Sequence, residues 1–228
     1  MPEASIGGVT SARYDGLADW YDAEFAETAG GRAARAIALR LLGDGPGRLL
    51  DLGCGGGSHA AAFADSGWDV VGVDVSEDQL RLARGRGVVV VRADAAALPF
   101  DDGSFDAALS MFTHTDFDDF AQAVRETARV LRPGGRFVYV GIHPCFVGPH
   151  AFVHDLAVPV LHPGYRDTSY RREAPGIWGD GVRARAGAWH LPLGVFLHCF
   201  LDAGLALERF EEPEGRDYPY IVALRTSK

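Results

Sequence analysis

The sequence predicts an α/β fold, a doubly wound, mostly parallel seven-stranded sheet with helices on both faces. Three observations predict it. Short apolar runs alternate with helix-like segments from residue 48 to residue 142, the rhythm of a parallel sheet with helical crossovers. A glycine-rich turn, Gly53-Cys54-Gly55-Gly56-Gly57, follows directly on the first apolar run, where open sheets of this kind bind ligands. The final two apolar segments, 205–210 and 219–225, are joined by a short Glu/Pro/Gly link, so the last strand is expected to run antiparallel.

At 228 residues and 47% hydrophobic content the chain can bury one substantial core, and a single domain over residues 1–228 is expected. The net charge of −9 argues against a general nucleic-acid binder, which needs a basic face to neutralise phosphates. Cys54, Cys145 and Cys199 are odd in number and widely spaced, which fits a reducing compartment and no disulfide framework. No signal-like start and no apolar run near the length of a membrane span occurs. The expectation is a cytoplasmic protein without a membrane or nucleic-acid partner, its oligomeric state unread.

The elements follow in order. Residues 1–12 are small and polar, a loose end. Tyr14 to Ala26 mixes aromatics and acids in a helix-like pattern, and residues 31–42 form an amphipathic helix ended by Gly43-Asp44-Gly45-Pro46-Gly47. A strand at 48–52 leads to a helix at 57–66, and a strand at 69–74 to a helix at 77–85 with Ser76 and Gln79 as its capping box. The strand at 88–92 is all valine up to Arg92, which suits burial on both faces. A strand at 105–111 precedes a helix at 117–131 whose Phe117, Phe120, Val124, Ala128 and Leu131 share one face. Asp116, Asp118 and Asp119 read as its start. Pro133-Gly134-Gly135 stops it before a strand at 136–142. After an irregular insertion at 143–190, Pro192 opens a helix closed by Gly204.

Asp74 ends the second strand 21 residues after Gly53, a spacing that lets its carboxylate accept both hydroxyls of a ribose. The glycine turn lets a ligand lie against main-chain N–H groups. A nucleoside cofactor is the inference. Nicotinamide dinucleotides need a glycine where Ser58 stands. Asp51 is awkward beside a pyrophosphate but suits a cationic amino group. S-adenosylmethionine has that ammonium, a sulfonium, a ribose and an adenine, and no phosphate.

Five motifs in order resemble the class I S-adenosylmethionine-dependent methyltransferases, particularly their small-molecule branch. They are Leu-Leu-Asp-Leu-Gly-Cys-Gly-Gly-Gly (49–57), Val-Gly-Val-Asp-Val-Ser (71–76), Ala-Asp-Ala-Ala-Ala-Leu-Pro-Phe (93–100), Phe-Asp-Ala-Ala-Leu-Ser (105–110) and Arg-Val-Leu-Arg-Pro-Gly-Gly-Arg-Phe (129–137). The resemblance covers about residues 13–142. It implies a Rossmann-like fold, S-adenosyl-L-methionine as cofactor and S-adenosyl-L-homocysteine as product. By the same resemblance Gly53 and Gly55 approach the methionyl and ribose portions, Asp51 aids the amino group, and Asp74 holds the ribose diol. Val75 packs on adenine, Asp94 accepts from its amine, the Ala95 N–H reaches a ring nitrogen, and Ser110 and Met111 line the methionine end. Tyr14 and Tyr21 match an aromatic lid, so residues 1–43 are expected to be lid helices. For several of these a purely structural reading stands beside the functional one: Asp94 as a cap, Asp51 as an internal hydrogen-bonding group, the tyrosines as packing aromatics.

The acceptor is expected to be a small molecule, methylated at O or N by in-line displacement. A general base is needed only if the nucleophile arrives protonated. Five of the eight histidines fall in the 143–190 insertion, which makes it the expected substrate wall. His143, just past the fifth strand, is the first candidate base. His114, just past the fourth, is the second, with a structural or cofactor-side role as its alternative. His190 reads as a cap or packing group. His150 and His154 have metal-ligand spacing but no evident third partner, so no metal is expected. Arg166, Arg171, Arg172, Arg183 and Arg185 fit either a clamp for an anionic substrate group or a solvated loop. Trp178 and Trp189 fit either stacking on an acceptor or core closure. Two other functions remain open at this stage: a non-methylating cyclisation or isomerisation on the cofactor scaffold, and a non-catalytic binding protein.

Overall fold

In chain order the elements are α1 (Ala18–Phe25), α2 (Ala29–Leu42), β1 (Gly47–Leu52), α3 (Ala60–Asp65), β2 (Trp68–Asp74), α4 (Glu77–Gly85), β3 (Val89–Arg92), β4 (Phe105–Met111), α5 (Phe120–Val130) and β5 (Leu131–Ile142). Then come β6 (Ala151–Val153), β7 (Pro159–Leu161), α6 (Val182–Ala186), α7 (Leu193–Asp202), β8 (Ala206–Glu211) and β9 (Ile221–Ser227). The computed structural model describes residues 12–25, 28–153, 158–213 and 217–228. One sheet of seven strands has the order β3-β2-β1-β4-β5-β9-β8. Neighbours pair in parallel except at β9, which runs antiparallel to both β5 and β8. This is the doubly wound sheet, last strand reversed, that the alternation predicts. β6 and β7 pair separately, antiparallel.

Successive strand residues point to opposite faces, and both faces are covered. Leu49 and Val70 join one core with Ala34, Ala38 and Leu42 of α2 and Phe63 of α3. Leu50 and Val71 join the other, with Phe120 and Val124 of α5 and Phe196 and Phe200 of α7. Each fully buried Leu or Phe contributes about 1.5–3 kcal/mol, so the central strands are held chiefly by this double cover. Asp119 caps α5 by accepting the Gln122 N–H at 2.8 Å, and Ser76 caps α4 by accepting the Gln79 N–H at 3.3 Å.

The structure corrects several sequence expectations. The valine strand β3 is an edge strand, paired only with β2, and Val89 is 62% exposed; a continuous apolar run does not by itself place a strand inside. α3 starts at Ala60 rather than at residue 57, because the turns of the glycine loop continue through His59. α5 starts at Phe120, so Phe117 belongs to the preceding turn, and the chain re-enters the sheet at Leu131. The pairing of β4 with β5 then shifts register across Pro133–Gly135. Pro192 is the N-cap of α7 rather than a residue of its first turn, and Gly204, at φ +79°, follows the C-cap Ala203. No helix among the described residues is long and apolar enough to cross a membrane. Residues 1–11 of the expected loose end, and His154, lie outside the described residues.

Candidate active site

A cleft of about 220 Å³ opens at the carboxyl ends of the parallel strands. Its floor and one wall come from Gly53 and Gly55 after β1, Asp74 and Val75 at the end of β2, Asp94 and Ala95 after β3, and Met111 at the end of β4. The glycine loop fits this role by conformation and clearance. Gly53 has φ +72°, and a Cβ there would lie 2.6 Å from Thr113 Cγ2. Gly72, beneath the loop, has the same constraint: a Cβ would lie 2.7 Å from Cys54 Sγ.

The amides of the loop differ from the expectation. Gly53 and Cys54 donate to the Val73 carbonyl at 2.8 and 3.0 Å, Gly57 donates to the Cys54 carbonyl at 3.0 Å, and Gly55 donates to Asp74 Oδ2 at 3.0 Å. These four N–H groups are therefore committed within the protein. The loop offers a ligand bare backbone rather than an anion cradle.

Asp74 is aimed by the same network: Gly55 N–H holds Oδ2, and Ser76 N–H holds Oδ1 at 2.9 Å. A carboxylate has about four acceptor positions, so both oxygens keep capacity for a ligand hydroxyl. Burial pushes the Asp74 pKa up, with those N–H donors opposing it. Asp51 lies within β1, 5% exposed and outside the cleft lining; burial first, and then the Asp74 charge, push its pKa up to about 7. Asp94 forms a turn in which Oδ1 accepts the Ala96 N–H at 2.8 Å. Ser110 is fully buried beneath the cleft, its hydroxyl donating to the Leu52 carbonyl at 3.0 Å and pairing with Thr113 Oγ1 at 2.6 Å.

The other wall comes from two distant segments, backed by a third from the insertion. Tyr14 and Tyr21 line the cleft from the N-terminal side, their rings edge to face at 5.3 Å. The Tyr14 hydroxyl donates to Asp116 Oδ1 at 3.1 Å, and Arg183 of the insertion donates to the same oxygen at 2.6 Å. Burial, then Asp116, raise both phenol pKa values. Burial opposes the Arg183 charge, but Asp116 more than offsets it and the pKa stays raised. Arg13 is held by the Asp116 carbonyl and the Asp118 carboxylate, with its guanidinium 4.8 Å from the Tyr170 ring centre. Asp118 also accepts from Trp189 Nε1 at 3.0 Å. On the opposite side Asp15 accepts from the Ser76 hydroxyl at 2.7 Å, and Asp78 accepts the Gly16 N–H at 2.7 Å. The segment from Ala12 to Phe25 thus bridges the cleft.

No described histidine lines the cleft. His143 is buried; its Nδ1 accepts the Cys145 N–H at 3.1 Å and its Nε2 meets Glu212 Oε1 at 2.8 Å. His114 pairs with the Tyr139 hydroxyl inside an aromatic cluster, and burial drives its pKa down to about 3. His190 contacts the Tyr165 carbonyl at 2.8 Å and packs against His150 with ring centres 4.5 Å apart. Among the described residues, no group of three or more His, Cys, Asp or Glu side chains could hold a metal ion. Trp178 is exposed.

Sequence reasoning missed Phe112, Thr113, Asp116, Phe117 and Gln79, all lining the cleft. Asp116, Asp118 and Asp119 all line the cleft, and of the three only Asp119 also caps α5. Phe112 has φ +59°, a conformation uncommon for a side-chain-bearing residue, and no sequence signal marks it.

The methyltransferase-domain family model matches residues 50–139, from β1 into β5. A demethylmenaquinone methyltransferase of Clavibacter sepedonicus is 37% identical over 185 residues, covering 74% of this chain and 75% of that one. The chain belongs to the class I S-adenosylmethionine-dependent methyltransferases. A demethylmenaquinone methyltransferase of Renibacterium salmoninarum is 35% identical over 150 residues, and the match spans 63% of either length. The crystal structure of an S-adenosylmethionine-dependent methyltransferase from Mesorhizobium loti shares the fold with a TM-score of 0.71 at 26% identity, covering 88% of this chain and 98% of that one.

Proposed function

We propose that this methyltransferase moves the methyl group of S-adenosylmethionine to an O or N atom of a small molecule in the cytoplasm. The carrying observation is Asp74: its carboxylate is fixed by two backbone N–H groups at the lip of a strand-end cleft whose glycine loop has four amides already committed. A ribose diol fits that carboxylate, and a ligand without phosphates fits that loop. Gln79 supports the fit, since it lines the cleft while its buried Oε1 finds no partner in the protein. The carboxylates around the cleft also suit a ligand bearing two positive charges.

In this reading Asp74 holds the ribose, Val75 and Asp94 meet the adenine, and Asp51 stands behind Gly53 to favour the amino group. When bound, S-adenosylmethionine supplies a methyl group on a sulfonium, an activated leaving group. The protein's part is alignment and exclusion of water. The segment from Ala12 to Phe25 serves as the lid while α2 packs in the core, and the 143–190 insertion backs the acceptor space through Arg183, all within a single domain. The cytoplasmic assignment is supported by three cysteines that are all free.

Calorimetric titration with S-adenosylmethionine tests the reading. Saturable one-site binding is expected, and a wild-type protein that binds neither S-adenosylmethionine nor S-adenosylhomocysteine would overturn it.

A further inference from the structure

We propose that Asp116 recognises the methyl acceptor, and that the acceptor is a neutral or cationic molecule presenting an O–H or N–H group to Asp116 Oδ2. The inference rests on the methyl-transfer reading and narrows its substrate class.

Asp116 is placed by the turn that covers Gly53. Its N–H donates to the Thr113 carbonyl at 2.8 Å, and Thr113 Cγ2 is the atom that a Cβ on Gly53 would strike at 2.6 Å. The carboxylate therefore lies over the loop expected to carry the methionyl part of the cofactor. Its two oxygens differ. Oδ1 takes both the Tyr14 hydroxyl and Arg183, whereas among the described residues Oδ2 meets only the Thr115 hydroxyl, at 3.5 Å. That distance lies outside the normal range for an O–H···O bond, which leaves Oδ2 able to accept from a ligand.

The other acids of the cleft have duties. Asp119 caps α5, Asp118 takes Trp189 and Arg13, Asp94 closes its own turn, and Asp74 is turned toward the ribose. With Asp116 they make five carboxylates along the lining against one arginine, Arg13. An anionic acceptor would enter against that field. Nor does the insertion supply a clamp for it. Arg183 is bound to Asp116, Arg171 to Asp167, Arg172 to the Arg185 carbonyl and Arg185 to the Asp180 carbonyl. None of these arginines, nor Arg166, lines the cleft. No described histidine lines the cleft either, and on the Tyr14–Arg183 side, away from Asp74 and Gln79, the under-occupied oxygen of Asp116 is placed to receive a donor.

The test uses protein saturated with S-adenosylhomocysteine and three ring probes of similar size: catechol, benzylamine and benzoate. Binding is followed by calorimetry. Catechol and benzylamine should each bind at least about tenfold more tightly than benzoate, and Asp116→Asn should reduce that preference below about threefold. Arg183→Gln, which removes a cation beside the carboxylate, should move the preference further toward benzylamine; a purely structural Asp116 would not respond in this sense. Three results overturn the proposal: benzoate binding as well as catechol, no binding of catechol and benzylamine to the loaded protein, or an unchanged preference in both variants. Failure of S-adenosylhomocysteine to bind the wild-type protein would instead defeat the methyl-transfer reading.

Discussion

The two sides of the cleft are built in different ways. On the β1–β2 side, strand ends set the positions and the backbone fixes the side chains: Gly55 and Ser76 aim Asp74, and Val73 anchors the glycine loop. On the side of the insertion, side chains fix one another across long stretches of chain. Tyr14, Asp116 and Arg183 meet there, and so do Arg13, Asp118 and Trp189. The first construction can be shared by many proteins with one cofactor. The second can change its ligand by changing a few side chains, which suits the part that meets a variable acceptor.

The two sides also titrate in opposite senses, and the largest expected effect follows from this. Burial drives the pKa of His114 down to about 3 and that of His190 to about 4, from an ordinary 6.5. Both imidazoles stay neutral when folded and take up protons once unfolded. Their contribution is whole above pH 6.5 and falls as the pH drops below it. In an Asp51→Asn background, where the opposing titration of that carboxyl is absent, a loss on the order of 5 kcal/mol is expected between pH 6.5 and 4. Denaturant titrations across that range measure it, and a flat profile would show that the side of the insertion does not depend on these neutral rings. Asp51 acts the other way: its folded pKa of about 7 against an ordinary 3.8 gives stability that is whole below 3.8 and lost as the pH rises through 7.

The next effect tests the backbone-built side. Gly53→Ala forces a side chain into a left-handed conformation and against Thr113, and should lower stability by about 2–4 kcal/mol. A variant melting with the wild type would mean that Thr113 and the loop are not held so closely.

Asp74→Ala should weaken S-adenosylmethionine binding by about 1–3 kcal/mol, through lost hydrogen bonds and the donors left unpaired. Equal affinity in calorimetry would move the ribose elsewhere in the cleft. The smallest effect sharpens the role of Asp51. A ligand ammonium favours the carboxylate form, so affinity for S-adenosylhomocysteine should rise about tenfold, ~1.4 kcal/mol, between pH 6 and pH 8. Titrations in buffers of different ionisation enthalpy should show a proton released near pH 7. Affinity independent of pH would detach Asp51 from the amino group.

This contrast also explains what could be read from the chain. Periodicity predicts the seven strands because β1, β2 and β4 alternate between two covered faces. It misplaces β3, since four residues of valine and arginine carry no information about whether a neighbour lies beyond them. Asp74 and the glycine loop stand at a fixed spacing from a strand, so local sequence marks them. Asp116 lacks such a mark: its partners Tyr14 and Arg183 are 102 and 67 residues away, and an aspartate three residues before a helix cap resembles any helix start. His143 stands at the ligand-binding edge of the sheet, but the sequence does not reveal which way a side chain turns after a strand ends, and it turns to Glu212.

The committed amides of the loop have a consequence for life in a crowded cell. Adenine nucleotides and dinucleotide coenzymes share the sugar and base of S-adenosylmethionine, and they are common in cells. With four of the loop's amides already bonded within the protein, their phosphates find few main-chain donors there, while the acids nearby repel them. Discrimination against these lookalikes is therefore built in part into the main chain, where it persists however the side chains facing the acceptor diverge.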